Sequence, residues 1–370
     1  MLTGSLPDCG ATHDQAAGFY DHCPARHSWA MRGWREEDVW VTTPDGVRLA
    51  VRDRGSRCAE RTVVFLHGLC LSQASWRHQI DHLLRRYGGA VRVISYDHRG
   101  HGRSDEAPMN SYCIEQLADD LAHVLTTLRV SDALTLVGHS MGGMTALSYL
   151  ARTSADRPVD ARGLVLVATA AGQLSSRGLG KLLATPATNM LHRLVDRTPA
   201  PALRALTGSV RASLGRWHGN GLPQRATLAA VTIAALASTP VPTAVGFLPS
   251  LRNYDQYATL GLIRANTVVI SGGADPLTPP AHSRDVAGGI PGAAQVHLPA
   301  AGHMLPQQTP QIINAAIRQV MRFAGPAGIE NRASQGLAAL RVAANQGRCD
   351  QAHPPKSMSR FGMRATTEEI

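Results

Sequence analysis

The amino-acid sequence predicts an α/β protein with a mostly parallel, doubly wound sheet, helices on both faces and an inserted helical lid. Short apolar runs alternate with segments of helical spacing along most of its 370 residues, which is typical of a parallel sheet covered on both faces. One apolar run leads directly into a Gly-x-Ser-x-Gly motif around Ser140 and then into a helical pattern. A long helical stretch interrupts the strands, which resume after it, and this arrangement predicts the lid.

The order of these patterns divides the chain into five consecutive parts. The extension lacks a sustained hydrophobic period, and the tail is rich in Gly, Pro, Ser and charge. We expect an irregular N-terminal extension at 1–36, a first part of the core at 37–171, a helical lid at 172–262, a second part of the core at 263–324 and a disordered tail at 325–370.

The first part of the core begins with a hairpin, predicted at 39–42 and 47–51 around a Pro-Asp-Gly turn. The apolar runs that follow predict buried strands, and the segments between them have the spacing of amphipathic helices. The strands are placed at 62–66, 91–96, 134–137 and 164–168, and the helices at 75–87, 112–128 and 144–152.

The second part of the core repeats the alternation after the lid. Strands are predicted at 267–271 and 294–298, and helices at 280–287 and 310–323. Right-handed crossovers bring the carboxyl ends of parallel strands to one edge of the sheet. Ligands of open α/β sheets bind at that edge, so we expect the functional residues there.

The chain is basic, with 37 Lys and Arg against 27 Asp and Glu and a formal net charge of +10. Such a balance is compatible with nucleic acid or an anionic surface as a partner. No aromatic–basic motif, Cys/His finger or repeat accompanies the charge. We therefore expect a solvated arginine-rich surface and no nucleic-acid partner.

The lid carries nine Lys and Arg against two Asp, a net charge of +7 over 172–262. Its helices are rich in Leu, Ala, Val and Met, which predicts a roof over an apolar pocket. The charge has two interpretations: weak contact with an anionic membrane surface or an anionic substrate, or a solvated outer face. Nothing in the sequence specifies an oligomeric state.

Six cysteines are scattered without a C-x-x-C pair or a zinc spacing. The first ten residues have no basic segment followed by an apolar one, as a secretory signal would, and no apolar run reaches membrane-spanning length. We expect a reduced, cytoplasmic protein without a metal or a cofactor.

The motif around Ser140 predicts a tight strand-to-helix turn that presents the serine hydroxyl at the sheet edge. Gly138 and Gly142 leave room where a side chain would collide with neighbouring backbone. The serine backbone is strained in such a turn, and strain of this kind is found at functional sites. By itself the five-residue pattern is also a common chance match.

A serine nucleophile needs a base, and the base needs an orienting group. His303 follows the last strand inside a glycine-flanked loop, whereas His297 is expected to face the sheet packing. No carboxylate ends the strand at 164–168, but Asp275 ends the next one. Read singly, Asp275 also fits a turn cap and His303 an ordinary loop residue; their joint placement favours a Ser140, Asp275, His303 triad.

The oxyanion of an acyl-transfer intermediate needs two backbone N–H donors. Met141 follows the nucleophile at the start of a helix, whose dipole favours negative charge. The second donor is expected from the loop after the strand at 62–66, and we assign it to Leu69. His67 is expected to support that loop without a role in proton transfer.

These motifs together resemble the α/β-hydrolase superfamily, in particular its lid-bearing, serine-nucleophile members. The resemblance covers about residues 38–324 and is specific for the fold, not for the substrate. It implies that the Asp97 to Ser104 segment is a structural turn, so Asp97 and Arg99 receive no catalytic role. The motifs are His67-Gly68, Asp97-x-Arg99-Gly100-x-Gly102-x-Ser104, Gly138-His139-Ser140-Met141-Gly142-Gly143, Gly273-Ala274-Asp275 and Gly302-His303.

Within this superfamily, Ser140 argues against the epoxide hydrolases and haloalkane dehalogenases, which have Asp at that position. The resemblance implies an esterase or lipase-like enzyme acting on a small or medium apolar acyl or aromatic ester. Carbon–carbon bond hydrolases and metal-free haloperoxidases use the same triad and remain alternatives, although His139 replaces the Asn common in the former. A non-catalytic ligand-binding module of the same fold is a further alternative.

Overall fold

A computed structural model describes residues 35–131, 133–199, 201–203 and 239–322 of the chain. The predicted tail at 325–370, nearly all of the extension and residues 204–238 of the predicted lid lie outside these ranges. The strands are β1 Arg35–Thr42, β2 Arg48–Gly55, β3 Arg61–Leu66, β4 Arg92–Tyr96, β5 Ala133–His139, β6 Ala161–Val167, β7 Asn266–Gly272 and β8 Ala294–Leu298.

The strands form one eight-stranded sheet in the order β1-β2-β4-β3-β5-β6-β7-β8. The pairs β1–β2 and β2–β4 are antiparallel, and the pairs from β4–β3 to β7–β8 are parallel. The predicted mostly parallel sheet of an α/β fold is therefore confirmed. β1 begins at Arg35, which pairs with Gly55, two residues before the predicted start of the core.

Helices cover both faces of the sheet. In the described ranges the α-helices are α1 Arg77–Tyr87, α2 Ile114–Thr127, α3 Met141–Ala151, α4 Pro186–Arg197, α5 Val241–Gly246, α6 Leu248–Asn253, α7 Tyr257–Leu260, α8 Pro280–Gly289, α9 Leu305–Gln308 and α10 Pro310–Arg322. Apolar side chains of α1 and α10 pack on one face, and those of α2, α3 and α8 pack on the other.

The helix after the Ser140 motif begins earlier than predicted. The pattern placed its start at residue 144, whereas α3 begins at Met141, directly after the serine. The two glycines in this first turn are poor helix formers, so propensity alone misses them. Close packing against β3 and against the residues that follow β6 holds the turn instead.

The described part of the predicted lid is helical, apart from one isolated bridge between Gly172 and Asp255. It packs over the carboxyl edge of the sheet. Leu179 donates its N–H to the carbonyl oxygen of Pro276 at 2.7 Å, and the hydroxyl of Tyr254 donates to that of Met144 at 3.0 Å. The segment therefore lies directly above the strand ends.

Candidate active site

The turn between β5 and α3 holds Ser140 in a rare backbone conformation, with φ 52° and ψ −119°. Such a conformation is costly for a residue with a side chain. The turn can close because Gly138 and Gly142, on either side of Ser140, have no Cβ. A Cβ at Gly142 would overlap the carbonyl oxygen of Leu66, and one at Gly138 would lie 2.5 Å from the carbonyl oxygen of Gly142.

Hydrogen bonds from β6 and the residues after it fix the strained serine. Ser140 donates its N–H to the carbonyl oxygen of Val167 at 2.9 Å. Its own carbonyl oxygen accepts a hydrogen bond from the hydroxyl of Thr169 at 2.7 Å. Both bonds hold the backbone and leave the hydroxyl of Ser140 uninvolved, and this residue is half-buried.

Asp275 lies in the turn after β7 and is 3% exposed. One carboxylate oxygen, Oδ1, accepts the N–H groups of Leu277 and Thr278 at 2.9 and 3.0 Å. The other, Oδ2, lies 2.7 Å from both the Thr278 hydroxyl and Nδ1 of His303. Burial raises the pKa of Asp275, but these hydrogen bonds outweigh it, so the carboxyl pKa lies below its usual value.

His303 is buried in the loop between β8 and α9. Because an ionised Asp275 only accepts hydrogen bonds, the proton of a neutral His303 ring lies on Nδ1, and Nε2 carries a free lone pair. A backbone hydrogen bond connects this loop to the turn that contains Asp275, since Ala274 donates its N–H to the carbonyl oxygen of Ala301 at 3.0 Å. The acid and the imidazole thus form one unit.

The two residues whose backbone N–H groups are predicted to bind the oxyanion belong to segments that adjoin Ser140. Met141 is the first residue of α3, where an N–H has no acceptor within the helix. Leu69 follows Gly68, whose ideal Cβ position is 3.2 Å from Cβ of Ser140. In the described parts of the chain neither N–H donates a hydrogen bond. Both therefore stay candidate donors to an oxyanion beside the serine.

The structure thus brings the five predicted site residues to one edge of the sheet. It joins His303 to Asp275 directly, but the described residues include no hydrogen bond between the Ser140 hydroxyl and the His303 ring. His139, next to Ser140, shows how close the two loops are, because its ring centroid is 4.9 Å from that of His303. Catalytic hydrogen bonds often close only when substrate is bound.

The Asp97 to Ser104 segment and His67 hold the loop that follows β3 through hydrogen bonds. The carboxylate of Asp97 accepts the N–H groups of Gln73 and Arg103 at 2.8 and 3.0 Å. Nε2 of His67 accepts the N–H of His98 at 2.9 Å, so its other ring nitrogen donates to the carbonyl oxygen of Gly68. These contacts match the supporting roles that the sequence predicted for Asp97 and His67.

In this region one sequence-based prediction is wrong, and two residues that support the site were not predicted. His297 was expected to face the sheet packing, and this is wrong: β8 is an edge strand, and its exposed His297 points away from buried Val296 and Leu298. Thr169 and Thr278 were missed. The sequence offers only a weak signal for each. Thr169 is a hydroxyl residue shortly after β6, and Thr278 is a hydroxyl residue three positions after Asp275.

Among the described residues, no group of three or more His, Cys, Asp and Glu side chains is arranged to hold a metal ion. Within the same ranges, no helix has the length and apolar character needed to cross a membrane.

Comparison with known proteins identifies the family of the chain. The family described as alpha/beta hydrolase fold matches residues 61–307. The chain belongs to this family. As a hydrolase of the α/β fold it resembles the thermophilic esterase from Thermogutta terrifontis, with 26% identity, a TM-score of 0.57, and coverage of 77% of this chain and 98% of that one.

Two curated relatives are named for two different enzymatic activities. The 3-oxoadipate enol-lactonase 1 of Acinetobacter baylyi is 29% identical over 65% of this chain and 80% of its own length. The non-heme chloroperoxidase CPO-A1 of Kitasatospora aureofaciens is 38% identical over 31% of this chain and 39% of its own. Several relatives at 35–39% identity match over less than half of their own length, 39–47%.

Proposed function

We propose that this hydrolase cleaves carboxylic esters of a small or medium apolar acyl or aromatic group through a Ser140, His303, Asp275 triad. The observation that carries the proposal is the 2.7 Å hydrogen bond from His303 Nδ1 to Asp275 beside a strained, half-buried serine. A base oriented by a buried carboxylate is what a serine hydroxyl needs to become a nucleophile at neutral pH.

In the proposed reaction the Ser140 oxygen attacks the ester carbonyl carbon while Nε2 of His303 accepts the hydroxyl proton. The N–H groups of Leu69 and Met141 stabilise the negative oxygen of the tetrahedral intermediate. The intermediate collapses to an acyl-serine, and His303 returns the proton to the leaving alcohol. Water then attacks the acyl group by the same route and releases the acid, while Asp275 stabilises the charged imidazole in both steps.

The surroundings of the serine support an apolar substrate group. Leu69 and Met141 belong to an apolar cluster that also contains Leu174 and Phe247 from the predicted lid. Removing an alkyl or aromatic group from water into such a cluster is favourable by roughly 0.8 kcal/mol per methylene. The same chemistry covers lactones, which are cyclic esters.

Hydrolysis of p-nitrophenyl esters of increasing chain length, together with a lactone, tests this function. We expect kcat/KM to rise about fourfold per methylene until the pocket is filled. Ser140→Ala should lower kcat by about 10⁶-fold. Ser154→Ala, at an exposed serine away from the site, is the matched control and should keep full activity. Equal turnover in both variants would refute the mechanism.

A second candidate, perhydrolysis, is favoured by the likeness to the bifunctional esterase/perhydrolase DCH of Acinetobacter calcoaceticus, which is 39% identical over 30% of this chain and 39% of its own length. In that reaction hydrogen peroxide replaces water in the attack on the acyl-serine, and a peracid leaves. Incubation with a short carboxylic acid and hydrogen peroxide should then produce peracid only when Ser140 is present. Peracid without measurable ester cleavage would favour this candidate over the first.

A further inference from the structure

His139, the residue before Ser140, contacts more than one loop of the site. It is 1% exposed, and its Nε2 lies 2.9 Å from the carbonyl oxygen of His303. On its other side, Nδ1 lies 3.0 Å from the ideal Cβ position of Gly68 in the oxyanion loop. One buried imidazole therefore lies between the nucleophile turn, the oxyanion loop and the loop of the base.

The hydrogen bond to His303 defines the tautomer of this imidazole. A carbonyl oxygen only accepts hydrogen bonds, so Nε2 of His139 must carry the proton and donate it. Its Nδ1 has no hydrogen-bond partner among the described residues. Burial, with the nearby His303 as a smaller cause, lowers the pKa of His139 to about 3, which keeps the ring neutral.

This bond holds the base at a second point, separate from its contact with the acid. Asp275 holds the ring of His303 at Nδ1, whereas His139 holds its backbone carbonyl. His139 itself is fixed, because it ends β5 and pairs with Val167 of β6. One peptide bond and one hydrogen bond thus connect Ser140 to His303.

We propose that His139 is a positioning residue that sets the location of His303 relative to Ser140. The proposal rests on the function proposed above for those two residues. An apolar side chain at position 139 could fill the space but would leave the carbonyl of His303 without its donor. The loop would then be free to shift, and a misplacement of about 1 Å costs roughly 10²-fold in rate.

Replacement of His139 by Phe and by Gln separates the hydrogen bond from packing. His139→Phe should lower kcat on a p-nitrophenyl ester by about 10- to 100-fold with little change in KM, because only the geometry of the base changes. His139→Gln places an N–H donor near the position of Nε2 and should recover most of that loss. If the Phe variant does not fold, Asn, which is too short to reach the carbonyl, replaces it in the comparison.

A matched histidine elsewhere controls for a merely structural role. His123 in α2 also has Nε2 2.9 Å from a backbone carbonyl oxygen, that of Thr42. His123→Phe should therefore reduce thermal stability while kcat per folded molecule stays at the wild-type value. An equal fall of kcat in the His123 and His139 variants would assign the effect to stability and overturn the proposal.

A double-mutant cycle with Asp275→Asn supplies a second test. If His139 and Asp275 both act through the location of His303, their effects on kcat should be far from multiplicative. Multiplicative effects, or wild-type kcat in His139→Phe, would overturn the proposal. Ser140→Ala in the same assay separates the two failures: if that variant stays active, the proposed function is wrong, independently of His139.

Discussion

The hydroxyl of Thr169 donates a hydrogen bond of 2.7 Å to the carbonyl oxygen of Ser140. Thr169 is fully buried, and it follows the strand next to β5 in the sheet. Its side chain also lies against α3, where a Cβ at Gly143 would approach it to 2.7 Å. The bond therefore connects the strained residue to the neighbouring strand, and it helps to maintain a conformation that Ser140 would not adopt by itself.

Thr169→Val tests the contribution of this bond. The substitution keeps the shape but removes the donor, so we expect a loss of about 1–3 kcal/mol in the free energy of unfolding together with a lower kcat. Thr169→Ser keeps the hydroxyl and should lose less of both. Urea unfolding and ester hydrolysis measure the two quantities, and equal kcat in the Val variant and the wild type would show that the bond does not support the nucleophile.

Gly142→Ala tests the packing that closes the turn. A methyl group there would overlap the carbonyl oxygen of Leu66, which belongs to β3 and cannot move aside easily. We expect loss of several kcal/mol of stability or failure to fold. Gly288→Ala in α8 is the control, since nothing lies within 4 Å of its Cβ position. That variant should gain about 0.5–1 kcal/mol, as expected for Gly to Ala in an open helix position.

The sequence predicts the strands of this protein well because buried parallel strands are short, apolar and bounded by polar turns. β8 begins and ends at the predicted residues, 294 and 298. The start of β6 is less predictable. It begins at Ala161, three residues before its apolar run, because pairing with Leu134 of β5 extends the strand.

The candidate site is predictable for a topological reason. Ser140, Asp275 and His303 each follow a strand, and parallel strands bring their carboxyl ends together. Contacts across loops have no such signal. The bond from His139 to the backbone of His303 joins residues 164 positions apart, and it depends on how two loops pack.

Stability should fall steeply in acid because several histidines are buried without charge. Burial lowers the pKa of His101 to about 3 and that of His98 well below its usual value of 6.5. An unfolded histidine binds a proton below about pH 6.5, whereas these folded ones do not. Above pH 6.5 these neutral side chains therefore cost no stability. Below that pH each lowers the free energy of unfolding by up to about 1.4 kcal/mol per pH unit, and for His101 this decrease continues toward pH 3.

His98→Phe isolates one of these groups, because both nitrogens of His98 lack hydrogen-bond partners among the described residues. The variant should keep wild-type stability near pH 8 and show a shallower decrease in acid, by about 1.4 kcal/mol per pH unit. His101→Phe also loses a bond with the N–H of Cys70 and should be less stable at every pH. Urea unfolding between pH 4.5 and 8 measures both, and an unchanged slope in His98→Phe would contradict the prediction.

The predicted lid presents an apolar surface to solvent, and we expect it to bind anionic membranes weakly. Three side chains of α4 and two that precede it are 43–69% exposed, and we refer to these five as the apolar lid face. Lys181, Arg193 and Arg197 accompany it. Apolar and basic side chains together favour an anionic interface, where each cation contributes about 1 kcal/mol. The face consists of Leu179, Leu182, Met190, Leu191 and Leu194.

Cosedimentation with phosphatidylglycerol and phosphatidylcholine vesicles checks this expectation. Binding should be measurable on the anionic vesicles, decrease with salt because charge is screened, and be weaker on the neutral ones. Leu194→Glu places a carboxylate in the apolar lid face and should abolish binding. Leu262→Glu changes an equally apolar residue that is 71% exposed outside that face, so binding should persist. Equal loss in both variants would mean that net charge, and not this surface, controls the interaction, since each substitution changes the net charge by the same amount.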